Sequence, residues 1–352
     1  MKTADCWRVA VFDSKSYDEE FLRGALGERP LRLKFFSERL NADTVALAQG
    51  YDAVCAFVND TLDAVVMDGL VAGGVRALAL RCAGYNHVDL SAAFGRIHVV
   101  RVPAYSPHAV AEHALALIMA LNRKTHRAYN RTRESNFRID GLMGFDLNGK
   151  VAGVIGTGRI GKVLARILRG CGMEVLLYDP YPDHEFAAAA GCRYVDLPAL
   201  LASAQVISLH CPLTPETKHL VRRETIEQMR PGVMLINTGR GGLIHTPDLV
   251  RALKSRQVGA AGLDVYEEEG DYFFEDFSDE GLSDDVLARL LTFPNVLVTS
   301  HQAFFTREAL ANIAETTLAN LDACRADGPL ENEVCYRCCE DGCRKQEQGR
   351  CF

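Results

Sequence analysis

Three polar residues stand just past apolar, strand-like runs in the second half of the chain, and their types suit one another. Arg240 lies in "INTGRGGLIH" (236–245), Glu269 closes "LDVYEEE" (263–269), and His301 sits in "TSHQAFF" (299–305). A guanidinium offers a planar fork that matches a carboxylate with paired hydrogen bonds. An imidazole exchanges a proton near neutral pH, and a neighbouring carboxylate holds the ring and favours its charged form. Singly, each has a plainer reading. A loop Arg is usually a surface cation, a His after a strand a structural hydrogen-bonding group, and the run Glu267, Glu268, Glu269 a solvated face. As a set past strand ends, where doubly wound sheets bind ligands, they read as a site.

What the site works with is read from "VAGVIGTGRIGKVLARIL" (151–168), a strand, a tight turn and a helix. Gly156 permits the turn, Gly158 lets backbone approach a pyrophosphate, and Gly161 lets helix and strand pack closely. Amides at the helix N-terminus then face the phosphates. Asp179 stands eighteen residues past Gly161, at the end of "EVLLYD". A carboxylate there accepts from ribose hydroxyls and repels a 2′-phosphate, which points to NAD over NADP. The plainer alternative is an ordinary turn with a strand-end Asp. Beside a nicotinamide, Arg240, His301 and Glu269 suit hydride transfer to a 2-keto acid. The cation fixes the carboxylate and polarises the carbonyl, while the imidazole protonates the developing alkoxide.

The elements that position these residues come in two α/β series. Before the glycine turn, "RVAVFD" (8–13), "DAVCAF" (52–57), "ALALRC" (77–82) and "HVVRV" (98–102) alternate with amphipathic stretches, as in a parallel sheet covered by helices. One long helix is expected over about 106–131, with Pro107 in its first turn. Strands follow at 151–155, 174–178, 205–210, 233–237, 259–265 and 295–299, and the chain is helical again after 300. The fold class is therefore α/β: two Rossmann-like or flavodoxin-like doubly wound parallel-sheet domains, with an interdomain active-site cleft. Residues 1–103 with 301–334 make a substrate-binding domain, 104–300 the NAD-binding domain, and 335–352 a Cys-rich tail.

The 352 residues suffice for two hydrophobic cores, and 48% hydrophobic with 24% charged residues is ordinary for a globular protein. A net charge of -7 argues against nucleic-acid or anionic-membrane partners. No leader is expected at the start, and "ALALIMAL" (114–121) is too short to span a bilayer. Seven cysteines scattered through apparent strands and helices suggest a reduced, cytoplasmic protein.

"VIGTGRIG", "INTGRGGLI", "LDVYEEE" and "VTSHQAF" resemble, in order and spacing, the D-isomer-specific 2-hydroxyacid dehydrogenases. "LRCAGYNHVDL" (80–90), "RVPAYSPHAVAEHALALIMALNR" (101–123) and "GDYFFEDFSDE" (270–280) are similar to its D-lactate dehydrogenase branch. The likeness runs from about residue 8 to 334. It implies a two-domain homodimer or homotetramer that reduces pyruvate with NADH in fermentation. By motif position, it makes Arg240 the carboxylate-binding catalytic residue, Glu269 the partner of the histidine, and His301 the proton donor. It places Ala83, Gly84, Tyr105 and Phe304 at the substrate, Phe304 standing where some members carry Tyr. On the cofactor side it implies Arg159, Ile160, Asp179, Cys211, Pro212, Thr217, Thr238, Gly239 and Asp264 beside the three glycines. Asp264 would bond the nicotinamide amide or orient Arg240, and Gly239 replaces a commoner Ser or Ala. Phenylpyruvate, glyoxylate, hydroxypyruvate or a branched keto acid remains an alternative substrate, and a NAD-sensing corepressor-like binding protein an alternative role.

Five cysteines crowd the tail: Cys335, Cys338, Cys339, Cys343 and Cys351. A soft metal or redox-sensitive disulfides suit such density. No His accompanies them, and the expectation is an unstructured polar extension with free thiols and no metal site.

Overall fold

The computed structural model describes residues 6–338 and 343–352. It divides into two compact units, one made of the chain up to Ser106 with Phe305–Phe352, the other of Pro107–Phe304. Residues 301–304 thus group with the second unit and the tail with the first.

The first unit is a five-stranded parallel sheet. Its strands are β1 (Trp7–Val11), β2 (Leu31–Phe35), β3 (Ala53–Ala56), β4 (Ala77–Leu80) and β5 (His98–Arg101), in the order β2-β1-β3-β4-β5. That is the flavodoxin-like order. Every residue of β3 and β4 is buried, because helices cover both faces and leave no polar side to alternate with. Val9, Val11, Cys55, Ala79 and Val100 pack with Leu318 and Leu321 of the helix Arg307–Arg325. Strand β2 escapes the sequence reading. In "LRLKF" Arg32 and Lys34 alternate with apolar residues, the mark of an edge strand with a wet side.

The second unit is a seven-stranded parallel sheet. It comprises β6 (Val151–Ile155), β7 (Glu174–Tyr178), β8 (Arg193–Tyr194), β9 (Val206–Leu209), β10 (Val233–Asn237), β11 (Val258–Leu263) and β12 (Val296–Val298). The order β12-β11-β10-β9-β6-β7-β8 reverses between β6 and β9, as in a dinucleotide-binding sheet. The two-residue β8 is too short to signal itself in sequence.

The expected single helix over 106–131 is two helices, Pro107–Arg123 and Thr125–Arg133. Lys124 breaks it at φ +49°. The returning chain supplies the reason. The Asn122 side chain donates to Phe145 O (2.7 Å) and accepts from Phe145 N (2.8 Å), and Lys124 Nζ donates to Met143 O (2.6 Å).

Candidate active site

The glycine turn is built by close approach. Gly156 has φ +91°, and a Cβ there would lie 2.4 Å from Cys211 N. At Gly161 it would lie 2.0 Å from Gly156 O, so helix and turn meet backbone to backbone. Gly158, at the N-cap of the helix Arg159–Gly170, faces open space instead. Asp179 follows β7, and its Oδ2 accepts from Thr157 N (2.7 Å) and Thr157 Oγ1 (3.1 Å). This cradle, its helix N-terminus and the acid beside it fit a dinucleotide. At the end of β10, Thr238 Oγ1 is buried with no hydrogen-bond partner among the described residues. Such an atom awaits a polar group.

Beyond β9, burial pushes the Cys211 thiol up to about 11, with the Asp179 charge adding to it. Cys211 packs against the core of the unit, and a raised thiol disfavours the thiolate that a nucleophile needs. Thr217 Oγ1 donates to Pro212 O (2.7 Å) and accepts from Thr214 N (2.8 Å), which closes the loop that Pro212 opens. Arg159 is exposed in the helix's first turn, while Ile160 packs against the core of the unit.

The structure brings Glu269 and His301 together. Glu269 Oε1 lies 2.8 Å from His301 Nδ1, and its Oε2 accepts from Tyr266 N at 2.8 Å. Both carboxylate oxygens are thus engaged, one fixing the ring and one the acid's own loop. With Nδ1 taken, Nε2 is the nitrogen left for a substrate. The acidic run separates by partner. Glu267 pairs with His219 (2.5 Å) and Thr246, while Glu269 alone serves His301.

Arg240 follows β10, and the Asn237 side chain braces its loop, donating to Arg240 O (2.9 Å) and accepting from Gly239 N (3.1 Å). Gly241 brings that loop onto the Glu269 loop, since a Cβ there would stand 2.0 Å from Tyr266 O. Arg240 Nη1 donates to Gly239 O (2.8 Å), and no ion pair to a carboxylate is formed by Arg240 among the described residues, so the rest of its fork can meet an incoming carboxylate. At Gly239 a Cβ would meet nothing closer than 3.5 Å, so the commoner Ser or Ala would fit.

Asp264 is fully buried, and its carboxylate faces the histidine loop. It accepts from Thr299 Oγ1 (2.5 Å), Gln302 N (2.9 Å) and Ala303 N (2.8 Å), while His301 N donates to Asp264 O (2.8 Å). Arg240 receives its support from Asn237, not from Asp264. His113, on the helix Pro107–Arg123, places Nε2 3.0 Å from Thr299 Oγ1 and 3.4 Å from Asp264 Oδ1. Sequence reasoning missed Asn237, Thr299 and His113. All three lie inside quoted stretches, Asn237 and Thr299 within the strand-end motifs, but a helical His carries no local signal.

Phe304 is buried at the end of the second unit. Ala83, Gly84 and Tyr105 belong to the first. There Arg101 Nη1 donates to Ala83 O (2.7 Å), and Asn312 Nδ2 donates to Tyr105 O (2.7 Å).

The sequence profile "D-isomer specific 2-hydroxyacid dehydrogenase, NAD binding domain" matches residues 115–303, and the chain belongs to that family of oxidoreductases. Its second unit is the NAD-binding domain. Among relatives, the chain is 50% identical to the D-lactate dehydrogenase of Escherichia coli over 329 residues, 93% of this chain and 99% of that one. The apo-structure of that enzyme aligns with a TM-score of 0.86 at 48% identity, over 93% of this chain and 99% of that. A D-isomer specific 2-hydroxyacid dehydrogenase from Lactobacillus delbrueckii, in its NAD complexed form, aligns at 0.78 and 27% identity, over 93% of this chain and 100% of that.

Proposed function

We propose that the chain is an NAD-dependent D-lactate dehydrogenase that interconverts pyruvate and D-lactate. The observation that carries this reading is the joining of Glu269 to His301, on a loop adjoining that of Arg240, in the unit that holds the glycine cradle. The 50% identity to the D-lactate dehydrogenase of Escherichia coli favours pyruvate over larger keto acids.

In this reading NADH, when bound, supplies the hydride to the carbonyl carbon. Arg240 holds the keto acid's carboxylate and polarises its carbonyl oxygen. His301, protonated on both nitrogens, gives its Nε2 proton to that oxygen as the alcohol forms. It keeps the Nδ1 proton on Glu269, whose carboxylate fixes the ring and faces the imidazolium charge. Solvent then returns one proton to His301, so each turnover consumes one hydride and one proton. In the reverse direction neutral His301 takes the hydroxyl proton. Ala83, Gly84 and Tyr105 complete the substrate side in this reading, and Asp179 selects NAD.

No helix among the described residues is long and apolar enough to cross a membrane. A cytoplasmic homo-oligomer without a nucleic-acid partner completes the proposal, consistent with the net charge of -7. Initial rates with NADH and a panel of 2-keto acids, followed by chiral analysis of the product, test it. Pyruvate as the preferred substrate and D-lactate as product are expected. L-lactate, or preference for a bulky keto acid, would sink it.

A further inference from the structure

The tail departs from the expected unstructured extension. Residues 332–334 lie along β5, the edge of the first unit's sheet. Val334 N donates to Val99 O (2.8 Å), Arg101 N donates to Asn332 O (3.1 Å), and Val100 pairs antiparallel with Glu333. The Glu333 side chain is wholly buried and accepts from Cys351 N, with His98 Nδ1 2.6 Å away. Phe352 stacks on His98 at 4.4 Å, and Tyr336 meets Phe94 edge-on. Both ends of the Cys-rich stretch are therefore anchored.

Between those anchors the sulfurs of Cys335, Cys338, Cys343 and Cys351 converge, all within 4.8 Å of one another. Cys339 lies outside the described residues. Cys338 Sγ is 3.7 Å from Cys335 Sγ and 3.7 Å from Cys351 Sγ. A disulfide needs about 2.05 Å. Four thiolates around a tetrahedral zinc with Zn–S of about 2.3 Å stand about 3.8 Å apart. The two spacings of 3.7 Å match the second figure, and the full set lies within 4.8 Å. A backbone amide also points at one of the sulfurs. Cys335 N donates to Cys338 Sγ (3.2 Å). Donors aimed at sulfur stabilise thiolate ligands. Four thiolates with one divalent ion leave two negative charges. By sequence the stretch carries Arg337, Arg344, Lys345 and Arg350 against Glu340, Asp341 and Glu347, so the sulfur geometry, and not a surplus of cations, points to the ion.

We propose that Cys335, Cys338, Cys343 and Cys351 form a structural zinc site that staples the tail to the edge of β5. A closed set of four protein ligands leaves no open position for substrate, so the site's role is to hold the fold. It fastens the strand whose Arg101 supports the Ala83 carbonyl and covers an otherwise open sheet edge.

The full-length protein, produced in zinc-supplemented medium and purified without chelator, should carry about one zinc per chain by elemental mass spectrometry. Cys338→Ser and Cys343→Ser should lower that content about tenfold or more, while Cys192→Ser, in the other unit, leaves it unchanged. Cobalt added to wild-type protein stripped of metal should give the intense visible bands of a tetrahedral tetrathiolate site. This readout does not depend on the variants folding. Zinc well below one equivalent together with no cobalt spectrum would overturn the proposal. So would stoichiometric iron, or native disulfides among these four cysteines.

Discussion

Replacing Asp264 by Asn tests how the catalytic loop is held. The wholly buried carboxylate takes three loop donors, from Thr299, Gln302 and Ala303. An amide has one acceptor oxygen, so one buried donor of the loop must face the amide's own NH2. An orphaned buried donor costs about 1–3 kcal/mol, and each remaining bond falls from charge-assisted to neutral, about 1 kcal/mol. Asp264→Asn is expected to lose about 3 kcal/mol of stability by urea unfolding. The loop that shifts carries His301, and a displacement of about 1 Å costs up to about 10²-fold in rate. With pyruvate and NADH, kcat should therefore fall about 10- to 100-fold, with the KM for NADH changed far less. A raised KM for NADH at unchanged kcat would make Asp264 a cofactor contact. Unchanged stability and kcat would refute the reasoning altogether.

Three further outcomes follow from other positions. Gly241→Ala drives a Cβ into the backbone of Tyr266 and Glu267; it should cost about 2 kcal/mol or more and raise the KM for the keto acid as Arg240 moves. Gly239→Ala meets only ordinary contacts, so its unfolding free energy and kcat/KM should stay within about 0.5 kcal/mol of wild type. Burial pushes His210 down to about 4, so between that value and the ordinary 6.5 the unfolded chain binds the extra proton. Stability from this residue is full above pH 6.5 and lost as pH falls toward 4. Urea unfolding at pH 7.5 and 5.0 should show wild type losing about 1–2 kcal/mol more than His210→Asn. Equal losses would remove His210 as a cause.

Much of the fold was legible because parallel strands buried on both faces read as plain apolar runs, as in "AVCA" of β3 and "VMLIN" of β10. The glycine turn was legible for a different reason. Only glycine fits where Gly156 and Gly161 press on backbone, so geometry leaves a mark in composition. Edge strand β2 and the short β8 lack that double-sided burial and were not seen. Lys124 breaks its helix through a distant segment at 143–145, which no local window contains. The same limit applies to the site. Glu269 and His301 could be named from their motifs, but that Glu267 belongs to His219 and that His113 supports Asp264 depends on contacts 48 and 151 residues apart. In the tail the spacing matched no familiar zinc module, and only the convergence of four sulfurs in space reveals the pattern.

The central claim is that Arg240, Glu269 and His301 act as one reducing site on the NAD-binding unit. The direct measurement is turnover of pyruvate by His301→Gln at saturating NADH, alongside NADH binding by fluorescence titration. The account predicts a loss of about 10²- to 10⁴-fold in kcat with the NADH dissociation constant essentially unchanged. Turnover within tenfold of wild type would contradict it.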